Sequence, residues 1–302
     1  MADGTPGREA IAVKGWWRAH KWLLLRRSSQ ALVMALFFAG PLFGVWILDG
    51  NLASSRLLGT VTLTDPFVLA QQLAAGYRPA AAALSGAAIM LAFYALVGGR
   101  VFCSWVCPVN MVTDAAGWLR ARIGLRPRRG PPRATRLWLL AGCLAAAALT
   151  GSLAWEVVNP VTLLPRGLLF GMGWGAAIIA AVFLYDLLVA HRGWCGHLCP
   201  MGAFYGLVGR LSLARVGAPR RSACTDCGEC FTVCPEPQVI APALKGSGSP
   251  VVLDSACTNC GRCIDVCAER VFRMTVRFDR RVAAGARPRD ARPESGPAPG
   301  MS

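Results

Sequence analysis

Four apolar runs constrain what this chain can fold into. Residues 28–48, 80–99, 137–155 and 167–185 are nearly free of charge. At about 1.5 Å of rise per helical residue, each is close to the length needed to cross about 30 Å of hydrocarbon. Buried helices of a large soluble protein would carry a polar stripe, whereas these runs are apolar all round, so the expectation is four transmembrane helices. The first run follows a 27-residue basic segment and has no clear small-residue cleavage site, so it should remain as an anchor.

Lysine and arginine are distributed unevenly around these runs. Six precede Ser28 and eight lie in 100–136, whereas 49–79 has only Arg56 and Arg78 and the turn after the third run only Arg166. Basic loops stay on the cytoplasmic side, so both termini and the middle loop should face inward, with two weakly charged hairpin loops outside. The 15 Lys+Arg beyond His191 point the same way, and the net charge of +16 becomes a topology signal. The basic residues fall in blocks beside apolar runs and not on one folded face, so nucleic acid is not an expected partner; membrane lipid is. Trp16, Trp17, Trp22 and Trp155 suit interfacial anchoring.

The two hairpins look like one unit used twice. Asp65-Pro66-Phe67 precedes Cys103-x-x-x-Cys107-Pro108 by 38 residues, and Asn159-Pro160-Val161 precedes Cys195-x-x-x-Cys199-Pro200 by 36. The X-Pro pairs are expected to fix bends where the chain reverses. From Ala218 the composition turns soluble and cysteine-rich, and beyond Phe278 it turns Arg/Pro-rich and charged. The expected domains are a basic cytoplasmic tail (1–27), a four-helix membrane domain (28–217), a ferredoxin-type domain (218–278) and a disordered tail (279–302). The fold class expected is mainly α: a four-transmembrane-helix bundle of two similar hairpins with a C-terminal cytoplasmic two-[4Fe-4S] ferredoxin-like domain.

The thirteen cysteines divide as eight, four and one. Eight form Cys224-x-x-Cys227-x-x-Cys230-x-x-x-Cys234-Pro235 and Cys257-x-x-Cys260-x-x-Cys263-x-x-x-Cys267, the spacing of bacterial two-cluster ferredoxins, in which the fourth cysteine of each run ligates the other cluster. One [4Fe-4S] cluster is therefore expected on Cys224, Cys227, Cys230 and Cys267, and a second on Cys257, Cys260, Cys263 and Cys234. Three thiolates on a tight loop hold three corners of a cubane, and the fourth must arrive from elsewhere. Gly228 and Gly261 occupy equivalent places, where a small residue lets the backbone pass close to sulfide. Zinc is the competing metal, because paired C-x-x-C segments also build tetrahedral sites. The second run ends Cys267-Ala268 without the proline, which leaves the turn after that ligand less fixed.

The pairs Cys103/Cys107 and Cys195/Cys199 place both thiols on one face if the helix continues, although the following Pro favours a helix end. A further iron-sulfur or metal cofactor, a redox dithiol, a contact with quinone and simple packing all remain open. His197, inside the second pair, is a candidate proton relay. Cys143 is expected to pack, His20 and His191 to be solvated or lipid-facing, and Asp186 to close the fourth helix at little cost, with Tyr185 beside it a speculative quinone contact.

Residues 99–114 (GRVFCSWVCPVNMVTD), 193–205 (GWCGHLCPMGAFY) and 224–238 (CTDCGECFTVCPEPQ) resemble the NapH-type membrane component of quinol dehydrogenases that supply periplasmic nitrate reductase. The shared layout covers about 21–274. The resemblance implies a multi-pass bacterial inner-membrane protein that takes electrons from quinol as a component of a quinol dehydrogenase, not as a stand-alone enzyme. It also implies a periplasmic ferredoxin-type partner of the NapG kind, sometimes a multihaem cytochrome, and nitrate reduction by another protein. Two clusters suit a two-electron donor, since each carries one electron. Clusters on the cytoplasmic side, however, require an electron route back across the bilayer. The competing functions are a polyferredoxin-type accessory role in metal reduction, or in maturation of a respiratory or amine-oxidising enzyme, and a non-redox scaffold.

Overall fold

Lys21–Phe43 forms a single helix that ends where Gly44 turns left-handed at φ 73°. The computed structural model in which it is seen describes residues 6–125, 130–246 and 248–279. Most of the charged tail expected over 279–302 lies outside the described residues, as do 1–5 and the loop arginines Arg126, Arg128 and Arg129.

The chain is mainly helical. Short helices α1 (Arg8–Lys14) and α2 (Trp16–Ala19) precede α3 (Lys21–Phe43). An antiparallel sheet of β1 (Leu48–Gly50), β2 (Ser54–Leu57) and β3 (Val61–Thr64) follows, with Leu48 opposite Leu57 and Ser54 opposite Thr64. Next come α4 (Pro66–Ala74), α5 (Ala81–Val97), α6 (Val101–Trp105), α7 (Val109–Arg122), α8 (Thr135–Thr150), α9 (Ala154–Val158), α10 (Pro160–Phe170), α11 (Gly175–Leu184) and α12 (Pro200–Val208). The rest comprises β4 (Ala214–Gly217), α13 (Glu229–Val233), α14 (Ile240–Lys245), α15 (Arg262–Val266) and β5 (Arg273–Val276).

The apolar runs map onto helices with shifted ends. The first begins earlier, at Lys21, and takes two charges into the helix, Arg26 buried and Arg27 paired with Asp114. The expected fourth span, 167–185, is not one helix. Gly171 (φ 95°) and Gly173 (φ 46°) break it, leaving α10 before the break and α11 after it, the latter running into a π-helical turn at Tyr185–Val189. Among the described residues one helix, α3, is long and apolar enough to cross a membrane, and the other apolar helices are shorter, at 10–17 residues.

The described residues separate into two compact units. One is Leu23–Leu213 with Ser255–Cys260. Its core gathers Phe67, Tyr94, Phe102, Trp155, Met201 and Tyr205, with Phe102 stacked on Tyr205 at 5.0 Å and Tyr94 edge-on to it at 5.0 Å. Its outer faces are apolar: Trp138 is 77% and Leu149 87% exposed, the inverse of what water favours.

The other unit is formed by the described parts of Met1–Trp22, Ala214–Asp254 and Gly261–Ser302. Strands β4 and β5 pair antiparallel, Ala214 with Val276 and Gly217 with Arg273. The N-terminal segment packs here: Gly7 N donates to Glu229 Oε2 at 3.1 Å, and Lys14 Nζ to the carbonyls of Ile264 (2.7 Å) and Asp265 (3.1 Å) at the end of α15.

Candidate metal centres and the buried cysteine quartet

Helices α13 and α15 are built alike. Each is five residues long and starts after a left-handed glycine, Gly228 at φ 79° and Gly261 at φ 72°. One step before the second cysteine of each run, Asp226 (φ 61°) and Asn259 (φ 48°) are also left-handed, a conformation that short polar side chains tolerate best after glycine. In the first run these turns curl the backbone so that Cys224, Cys227 and Cys230 border one cavity.

Cys224, Cys227, Cys230 and Cys267 line one cavity of about 80 Å³. Three come from the first run and one from the end of the second. Burial, reinforced by the neighbouring thiols of Cys224, Cys227 and Cys267, pushes the Cys230 thiol up to about 12. Burial also raises Cys267, which accepts a hydrogen bond from Val271 N at 3.3 Å. Such thiols keep their protons until a cationic centre displaces them. Four soft sulfur donors around one cavity fit an iron-sulfur cubane. Among the described residues no three His, Cys, Asp or Glu side chains are placed to hold a single metal ion; cubane ligands are spread more widely than zinc ligands and need not meet at one point.

The other four ferredoxin cysteines are placed as follows. Cys257 and Cys260 belong to the unit of Leu23–Leu213, on the segment Ser255–Cys260. Arg100 Nη1 donates to Ala256 O (2.9 Å), Ser104 Oγ to Thr258 O (2.7 Å) and Trp105 Nε1 to Asn259 O (3.2 Å), so α6 holds that segment by its backbone. Cys263 lies on α15 and Cys234 follows α13, in the other unit.

The two C-x-x-x-C-P pairs meet inside the helical unit. Neither pair lies on one continuous α-helix: α6 stops at Trp105 and α7 starts at Val109, while Cys195 sits in a π-helical turn, Trp194–Leu198, and Cys199 is the N-cap of α12. The prolines enforce these breaks. Cys107 and Cys199 are buried, Cys103 and Cys195 partly so, and each pair lies near enough to feel the charge of the other. Burial raises all four thiols, Cys199 to about 12. Cys143 packs against the same core. His197 Nδ1 is buried without a hydrogen-bond partner among the described residues. His20 stacks on Trp16 and shares a hydrogen bond with its carbonyl.

Arg100 and Tyr205 were not singled out from sequence, whereas Asp65, Asn159 and Asp186 were given other places. Arg100, 1% exposed, donates Nη2 to Cys195 O at 2.8 Å and hydrogen-bonds the Cys103 thiol. Its signal was a lone arginine closing an apolar run three residues before a cysteine. Asp65 and Asn159, expected at reversals in the outer loops, instead begin buried helices. Asp65 accepts from Phe67 N and Val68 N and caps α4; Asn159 accepts from Val161 N and caps α10; Pro66 and Pro160 occupy the first helical position. Tyr205, six residues after Cys199, donates to Asp65 Oδ2 at 3.2 Å. Asp186 does not sit at an inexpensive helix end: it is fully buried, and its Oδ1 accepts from Trp194 N at 2.8 Å, anchoring the turn that carries Cys195.

Residues 79–126 and 170–219 match a family described as "4Fe-4S binding domain", and 219–268 match "4Fe-4S dicluster domain". The chain is 58% identical to the methylamine utilization ferredoxin-type protein MauN of Methylorubrum extorquens, over 89% of this chain and 94% of that protein. It is 60% identical to MauN of Paracoccus denitrificans, over 89% and 95%. The ferredoxin-type protein NapH of Escherichia coli is 52% identical, over 90% and 95%. No solved structure matches.

Proposed function

Because the chain belongs to the family of NapH and MauN ferredoxin-type proteins, whose role is electron transfer, we propose that it takes electrons from quinol at the bacterial inner membrane and passes them on through two [4Fe-4S] clusters. The observation that carries this reading is the cavity lined by Cys224, Cys227, Cys230 and Cys267, which joins both ends of the dicluster segment. Cys257, Cys260, Cys263 and Cys234 are the ligands assigned to the second cluster. Each cluster, when bound, carries one electron, so a pair matches the two that a quinol releases with its two protons.

The quinol ring needs an apolar cavity with a proton acceptor. A cavity of about 450 Å³ lies between the end of α3, β1 and α10, lined by Phe37, Phe38, Trp46, Glu156, Thr162 and Arg166. That is within the usual size of small-molecule sites. Burial raises the Glu156 carboxyl, whose two oxygens accept from Asn159 Nδ2 (2.8 Å) and Thr162 Oγ1 (3.2 Å), so it is held in place and suited to take a quinol proton. In this reading α3, α5, α8 and the broken pair α10/α11 cross the bilayer, with both termini inside.

The downstream partner is read in two ways. A NapG-type periplasmic protein and nitrate reduction follow from the NapH likeness; an amine-oxidising system follows from the MauN likeness, favoured by identities of 58% and 60% against 52%. A deletion strain separates them: loss of growth on methylamine with intact nitrate respiration supports the second, the reverse the first. The core proposal is tested on anaerobically purified full-length protein. A quinol analogue should reduce the clusters, Cys267→Ser should remove about four irons, and Glu156→Gln should slow reduction by quinol about tenfold or more while leaving reduction by dithionite unchanged. No reduction of intact clusters by quinol would rule the donor out.

A further inference from the structure

The two ferredoxin runs leave five cysteines unused, and four of them, the two C-x-x-x-C-P pairs, are brought together in the helical unit. We propose that Cys103, Cys107, Cys195 and Cys199 jointly hold one further [4Fe-4S] cluster, built from one cysteine pair of each repeated half; this deepens the iron-sulfur reading above and rests on it.

The placement argues against the alternatives. A redox dithiol must expose a thiolate to its partner, whereas Cys107 and Cys199 are buried and Cys103 and Cys195 partly so. Cysteines that merely pack need no polar surroundings, yet N–H donors and arginines stand around this quartet, with one carboxyl, Asp186 near Cys195, opposing them. Cys107 lies just before the 14-residue α7, whose first-turn Asn110 N donates to the Cys107 carbonyl at 3.3 Å. Cys199 caps the nine-residue α12, accepting from Gly202 N at 3.4 Å, with Met201 N also directed at it. Two helix N-termini thus lie beside the quartet, one from each half. Arg100 hydrogen-bonds the Cys103 thiol and holds the Cys195 carbonyl, and Arg136 adds its charge while binding Gly196 O at 3.2 Å.

This is the environment a thiolate-ligated cluster requires. Four thiols that bind a [4Fe-4S] core of charge 2+ release four protons and leave a net charge of 2−, and buried charge must be met by donors and cations. N–H groups aimed at ligand sulfur, with arginine beside them, supply that compensation. The family described as "4Fe-4S binding domain" matches each half separately. Each half brings two cysteines, one half-set of cubane ligands, so a complete set needs both. Such a cluster, inside the helical unit, offers the one-electron stepping stone that inward-facing clusters with an outward acceptor would need.

Iron and acid-labile sulfide counts with EPR on the full-length protein, purified anaerobically in detergent, test the proposal. About twelve irons per chain are expected. Cys107→Ser combined with Cys199→Ser should lose about four and keep the EPR signals of the ferredoxin pair, while Cys143→Ser should lose none. About eight irons in the natural protein, or a count unchanged in the double variant, overturns the third cluster and leaves the two-cluster reading standing. No iron at all overturns both. Should the double variant fail to accumulate, replacing all eight ferredoxin cysteines by serine gives the converse measurement: about four irons must remain, and none would overturn the assignment.

Discussion

Asp65 is a buried carboxylate where its repeat counterpart is an amide. It is 4% exposed, and burial raises it from an ordinary value of 3.8 to about 7, although Phe67 N, Val68 N and Tyr205 all donate to it. Asn159 performs the same capping task without a charge. Between pH 3.8 and about 7 the folded protein therefore binds a proton at Asp65 that the unfolded chain has released. Stability contributed by this group is complete below the lower value, falls as pH rises through that window, and is flat above it. Asp65→Asn should keep the cap, remove that slope and stabilise the protein near pH 8, which thermal unfolding in detergent at pH 5 and pH 8 would measure; a slope equal to that of the natural protein would refute it. The recurrence of Asp/Asn-Pro ahead of an apolar run was visible in the sequence. Its meaning was not, because the same dipeptide serves a loop bend and a helix start, and the choice depends on whether the following segment is buried.

Among the elements, the paired loops with α13 and α15 show how much a motif carries. The spacing of eight cysteines led to the grouping of Cys267 with the first run, and the cavity shows those four side by side because both runs use the same left-handed turns. The N-terminal segment was less legible. A basic stretch before an apolar run reads as a solvated tail, yet α1 and α2 pack within the ferredoxin-containing unit, and Asp265 Oδ1 accepts from Trp22 N at 3.1 Å. Gly261 is the contact point: a β-carbon there would fall 2.4 Å from Trp22 Cγ, and its φ of 72° disfavours any side chain. Gly261→Ala should cost about 1–2 kcal/mol from the backbone alone, and more once Trp22 is displaced, whereas Gly228→Ala should pay the backbone cost only, since nothing lies within 4 Å of its added carbon. Proteolysis of the first twenty residues is the measurement: the Gly261 variant should be cut faster than the Gly228 variant. Equal rates would mean that Trp22 does not seat there. The glycine pair in the last apolar run, Gly171 and Gly173, was overlooked for a related reason: hydropathy summed over a window does not register two residues that reverse the backbone.

For the whole molecule, the charge pattern and the apolar faces make one joint prediction about orientation. Of the 32 Lys+Arg, 29 lie before Ser28, in 100–136 or beyond His191, the segments assigned to the inner side. Three lie elsewhere: Arg56 on β2, Arg78 between α4 and α5, and Arg166 on α10. Outward residues as bare as Trp138 and Leu149 suit a lipid surrounding, and among the described residues α3 alone is long and apolar enough to span. The shorter helices reach across if the bilayer thins locally or if capped half-helices such as α4 and α10 fill the remaining depth, each accommodation costing a fraction of a kcal/mol per Å of mismatch. An even number of crossings returns the C-terminus to the side of the N-terminus. A fluorescent protein fused after residue 279 should therefore be bright and an alkaline phosphatase fused there inactive, while the phosphatase placed in the turn around Thr60, between β2 and β3, should be active. The reverse pattern at residue 279 would mean an odd number of crossings and a ferredoxin unit on the outer face. In that arrangement the clusters could meet a periplasmic acceptor directly, and the buried cysteine quartet would no longer be needed to carry electrons across.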